Sequence, residues 1–197
     1  MFNKNVICKK IAGVFMVIVV CSGFITYTAW AEAPEVTADD PEWASFCSNY
    51  FVIYCRPDAN LNGIDRELRT KAFEFGQPVR YGEVSVSDEI CYRMDQLFNR
   101  VKEMLNMYPK IPRVNIRIFK DRSELNEEYF KLFSRREDLK SYYVKDYNTI
   151  YTSESDIDDS IIIHEMAHAI IDHYFSVTPP ETVGEILAAY VDAHLEG

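Results

Sequence analysis

The chain has 197 residues, 48% hydrophobic and 14% aromatic, with a formal net charge of −10. That apolar content belongs to a folded globule and excludes a disordered tract, and no repeat or low-complexity run points to a solenoid or fibre. The acidic balance disfavours nucleic acid and anionic membrane as partners; it suits basic peptides, or simply solubility.

At the N-terminus, Lys4, Lys9 and Lys10 precede an apolar run from Ile11 to Thr28 and then Ala29-Trp30-Ala31. This order is that of a secretory signal peptide, expected to span residues 1–31 with cleavage after Ala31 or, alternatively, after Ala33. The other reading is an uncleaved anchor, because the run is nearly long enough to cross a bilayer. The expected location is therefore periplasmic or secreted, or membrane-anchored in the alternative. About 165 residues remain, enough for one domain with its own core. Residues 32–44 are acidic and contain proline, so they read as a flexible leader, and the domain is expected over 45–197.

Cys47, Cys55 and Cys91 would enter an oxidising compartment as an odd set, so one disulfide is expected, joining Cys91 to Cys55 or to Cys47. Cys47 and Cys55 read as lying along one extended run, too far apart to pair unless the chain turns between them.

Along the mature chain, residues 50–55 form a β-branched and aromatic run stopped by Pro57, which fits a strand. A helix is expected from about Leu61 to Phe75, ended by Gly76 and Pro78, and residues 79–87 alternate like a short strand or hairpin. Ser87 with Ile90, Met94, Leu97, Phe98, Val101 and Leu105 predicts a capped amphipathic helix, ended by Pro109 and Pro112. Residues 114–119 alternate as a half-buried strand, a helix follows over 122–133, and residues 142–144 and 149–152 read as two short strands.

Next comes His164-Glu165-Met166-Ala167-His168. On a helix, residues i and i+4 lie one above the other, about 5–6 Å apart at Cβ, which suits two imidazoles converging on one tetrahedral zinc. Glu165, one residue after the first imidazole, would lie beside such an ion and could take a proton from an attacking water. Ser155 with Asp158 resembles a capping box, and residues 157–175 are apolar nearly all round, so the motif sits on a buried helix ended by Pro179 and Pro180. Glu185 opens a second helix beyond those prolines.

Taken together, His164-Glu165-x-x-His168 and Glu185-x-x-Ala188-x-Tyr190 resemble the gluzincin zinc peptidases, the group containing thermolysin and the zinc aminopeptidases. The resemblance covers roughly residues 155–197. It implies one zinc ion held by His164, His168 and Glu185, with Glu165 as general base. It also implies an α+β, zincin-like fold, a small mixed sheet packed on helices. The metzincin extension is absent, since Ile171 and Tyr174 stand where it requires glycine and histidine. Thermolysin-like members carry an aspartate four residues after the glutamate ligand, where this chain has Ala189; Asp192 or Asp172 is expected to orient a ligand histidine instead. Larger gluzincins take an oxyanion-stabilising histidine or tyrosine from a C-terminal subdomain. Here that role is expected of Tyr190, with His194, Tyr174 or an upstream residue as alternatives. The strand beside the zinc helix in that group pairs with extended peptide, and residues 149–152 are expected to form that edge or, alternatively, an ordinary covered one.

The function expected is thus that of a zinc-dependent peptidase acting on peptide or protein substrates. The alternative is a zinc-stabilised binding or structural module without turnover, or a latent enzyme covered by its leader.

Overall fold

In the computed structural model, which describes residues 42–68 and 84–194, strands and helices alternate. In chain order they are β1 (Ala44–Cys47), β2 (Phe51–Cys55), α1 (Leu61–Glu67), α2 (Val86–Leu105), β3 (Val114–Phe119), α3 (Arg122–Phe133), β4 (Ser141–Val144), β5 (Thr149–Ser153), α4 (Asp159–Tyr174) and α5 (Glu181–His194). The fold is mixed α+β, and all described residues belong to one unit bounded by Val36 and Gly197. Among them no helix is long and apolar enough to cross a membrane. The expected signal peptide, most of the leader, the second half of the helix expected over 61–75 and most of the strand expected over 79–87 lie outside the described residues.

The five strands form one sheet in the order β1-β2-β3-β5-β4. β2, β3 and β5 run parallel, whereas β1 and β4 are antiparallel to their neighbours and occupy the edges. Alternation along each strand separates two cores. Phe51, Ile53, Ile116, Ile118 and Ile150 face α2 and α4, where they pack on Met94, Phe98, Ile162, Met166 and Ile170. Phe119, Tyr142 and Tyr151 face the other way and pack with Leu125 and Tyr129 of α3. On that second face the Arg117–Glu128 pair, 3.2 Å apart, is buried, and the Arg117 guanidinium lies over the Trp43 ring.

Each long helix starts where a side chain satisfies an orphan amide. Ser85 accepts from the Asp88 amide at 3.1 Å, so the cap of α2 lies two residues before the expected Ser87. Asp121 does the same for α3, and Asp158 for α4 at 2.8 Å. Ser155 is not the cap of α4; its hydroxyl bonds Ser153 and Asp156 instead. Asp156 accepts from Arg122 as well as from the two serines, and those contacts hold its carboxyl down at about 2. They fix the turn between β5 and α4.

Two expectations need correction. The strand at 149–152 is not the sheet edge: β5 is paired with β3 on one side and β4 on the other, and all five of its residues are buried. The edge is β4. The expected disulfide is also missing: Cys47, Cys55 and Cys91 carry thiols. The chain turns between Cys47 and Cys55, yet the hairpin register sets Cys47 opposite Val52 and Cys55 opposite Ala44, at opposite ends. Burial pushes the Cys55 thiol up to about 11, with Glu154 adding to it, and the Cys91 thiol up to about 12, with Asp95, Asp88 and the neighbouring Cys47 adding to it.

Peptide mapping without reductant is expected to find Cys47, Cys55 and Cys91 each as thiols; a linked peptide containing Cys91 would contradict this. Arg122→Ala is expected to lower the melting temperature at neutral pH, because it removes the charged donor to Asp156. Because the folded carboxyl of Asp156 is depressed, the stability it confers is present above its unfolded value near 3.8 and is lost as pH falls through about 2. Melting curves of parent and variant should therefore converge near pH 2; a constant gap would show that the ionised pair is not the cause.

Candidate metal centre

The His-Glu-x-x-His segment lies in the middle of α4, whose remaining inward positions (Ile162, Ile163, Met166, Ala167 and Ile170 among them) are fully buried. Such a helix can only run through a core, and it brings His164 and His168 to its half-buried flank beside α5. The Pro179-Pro180 turn reverses the chain so that α5 packs back along α4. Contact is close at Gly184, where an added Cβ would sit 3.6 Å from His168 Nδ1. Ala188 and Val191, both fully buried, continue the packed side of α5.

Three donors meet here. His164 Nε2 and His168 Nε2 are 3.2 Å apart, His164 Nε2 is 3.6 Å from Glu185 Oε2, and His168 Nε2 is 3.4 Å from Glu185 Oε1. Tetrahedral zinc with bonds of about 2.0–2.1 Å separates its donors by about 3.3–3.4 Å; taking one atom from each residue, the three donors here lie within 4.8 Å of one another, so small side-chain adjustments would let all three reach one ion. Two imidazoles and one carboxylate are also the donor chemistry of a catalytic site, which keeps a fourth position open. His164, His168 and Glu185 are the residues that could hold the ion.

The surroundings orient these donors. Asp192 Oδ2 lies 2.9 Å from His164 Nδ1, which places the proton on Nδ1 and the lone pair on Nε2. That hydrogen bond raises the His164 imidazole above its ordinary range, against the effect of burial. His168 moves the other way, lowered by burial and by the His164 charge. Of the two aspartates considered for this orienting role, the structure brings Asp192 to the site. Asp172 instead pairs with Lys145 at 3.4 Å, and Lys145 also bonds Thr178.

Glu165 is only 6% exposed. Burial raises its carboxyl above the ordinary carboxylate range, while a hydrogen bond from Ser141 Oγ, 2.6 Å from Oε1, works against that rise. A cleft of about 580 Å³ opens over this group, lined on one side by Ser141, Tyr143 and Lys145 and on the other by His164, His168 and Glu185. Phe133, Leu139, Thr178 and Pro179 also line it.

Tyr190 is not brought to the centre. It is 46% exposed, stacks on His194 with ring centroids 4.1 Å apart, and does not line the cleft. The cause is helical phase: five residues past Glu185 is a rotation of about 140° away from the ligand side, whereas Asp192, seven residues on, returns to within about 20° of it. His173 lies outside the centre too, with its Nε2 2.9 Å from Asn148 Oδ1. Ser141 and Lys145 are the cleft residues that sequence reasoning missed, and neither belongs to a motif.

No protein-family model, no curated protein and no solved structure matches this chain. The site is therefore read from its own geometry.

Zinc titration in competition with a chelator tests the orienting bond. Asp192→Ala is expected to weaken zinc binding about 10- to 100-fold while leaving the fold intact; unchanged affinity would remove Asp192 from the site.

Proposed function

We propose that this protein is a zinc-dependent peptidase with a zincin-like fold, in which His164, His168 and Glu185 hold one zinc ion and Glu165 is the general base. The observation that carries the reading is the juxtaposition of three convergent donors, one imidazole pair and one carboxylate, with a buried carboxylate one residue from a ligand, both opening on a cleft whose far wall is a sheet edge. When bound, zinc supplies Lewis acidity that activates water and polarises a carbonyl. Glu165, kept basic yet shielded, accepts the proton of the attacking water and returns it to the leaving amine. A carboxyl raised above its ordinary range holds a captured proton more readily than an exposed carboxylate would, which suits its return to the leaving amine. An extended peptide would pair with the β4 edge and lie across the cleft with its scissile carbonyl over the donor triangle. Tyr190 has no part in this scheme.

Hydrolysis of casein or a mixed peptide library by the purified protein, with and without chelator, tests the reading. Glu165→Gln is expected to retain one equivalent of zinc while losing about 10²- to 10⁴-fold in hydrolysis rate. A parent that binds zinc and cleaves nothing would favour the binding-module alternative. A variant as fast as the parent would remove Glu165 as the base.

A further inference from the structure

Ser141 opens β4, and its side chain points to the α4 face of the sheet. The next residue, Tyr142, points to the opposite face, where it stacks on Tyr151 with centroids 4.8 Å apart. Register with Thr152 places Ser141 at the end of the strand where α4 carries Glu165. There its hydroxyl donates to Glu165 Oε1 at 2.6 Å, and the Tyr143 main chain lies near the same carboxylate and favours its charged form. Both residues belong to one edge strand, and the side chain they meet is almost fully enclosed.

A general base works only if its oxygen stays within a few tenths of an ångström of the proton it must take, which requires a supporting contact that locks its rotamer. The Ser141 hydroxyl is the contact that does so here. We propose that Ser141 is the positioning residue of the reaction: its hydroxyl holds Oε1 of Glu165, leaving Oε2 to face the water, and so fixes the base to the strand on which substrate lies. The inference rests on the peptidase reading above. It implies that peptide docking on β4 and proton transfer by Glu165 share one structural element, so a shift of that strand alters both.

Two measurements on the full chain test it. In the zinc-loaded protein, Ser141→Ala is expected to lower kcat roughly 10- to 100-fold, the loss of one hydrogen bond to a charged group, with KM and zinc content near the parent's. Ser141→Thr, which keeps a hydroxyl, should recover most of the loss, whereas its isostere Ser141→Val should not. The Thr and Val pair carries the comparison should the alanine variant fold poorly. In metal-free protein, Ser141→Ala and Glu165→Ala should be non-additive, the double variant melting near the lower single variant rather than at the sum of both shifts. An unchanged kcat in Ser141→Ala, equal rates for Thr and Val, or additive melting shifts would overturn the inference. A parent that cleaves no peptide overturns the peptidase reading instead, and the melting cycle then decides the Ser141–Glu165 link alone.

Discussion

Helix α4 must carry three polar side chains through an apolar core, and the arrangement around it follows from that constraint. Each fully buried isoleucine of α4 contributes roughly 1.5–3 kcal/mol. A buried charge without partners costs several kcal/mol, enough to cancel one or two of those residues. Glu165, His164 and His168 therefore need partners on the spot. Two elements supply them. β4 brings the Ser141 hydroxyl to Glu165, and α5 brings Asp192 and Glu185 to the histidines. The same contacts that relieve the helix also define the cleft, which runs between these two elements.

The sheet serves this arrangement through its strand order. Three parallel strands form a hydrophobic platform for α2 and α4, and the β4–β5 hairpin extends it on the side where the motif helix lies. β4 ends the sheet, and Ser141, Tyr143 and Val144 of it line the cleft. Lys145, just past β4, reaches Asp172 on α4 and Thr178 before α5, linking strand, helix and turn at one end of the cleft.

Elements with strong local periodicity were legible in the sequence: β3 and α3 occupy the expected residues, and α4 begins two residues later than read. The edge assignment failed for a physical reason. The edge was expected at 149–152 from the resemblance alone, whereas here β5 is paired on both sides, which buries even its polar Thr149, Thr152 and Ser153. β4, with its two tyrosines and valine, looks like an interior strand. The β1–β2 hairpin was read as one run because its turn at Ser48 and Asn49 lacks glycine and proline; Ser48 Oγ and the Asp95 carboxylate accept the turn's amides in their place.

Within the site, legibility followed sequence distance. His164, Glu165 and His168 were readable because their relation is internal to one helix. The choice between Asp172 and Asp192 depended on how α5 crosses α4, which spacing alone does not settle. Tyr190 was misplaced although helical phase argued against it, since a position five residues from Glu185 cannot share its side. Ser141 could not have been found, because its contact with Glu165 spans 24 residues and no pattern announces it.

The central claim is that His164, His168 and Glu185 bind one zinc ion. Diffraction at the zinc absorption edge, from crystals of the protein grown with zinc, tests it most directly. The account predicts one strong anomalous peak about 2.0–2.1 Å from both Nε2 atoms and bonded to a Glu185 oxygen. No peak between these three side chains, or a peak held by other residues, would contradict it.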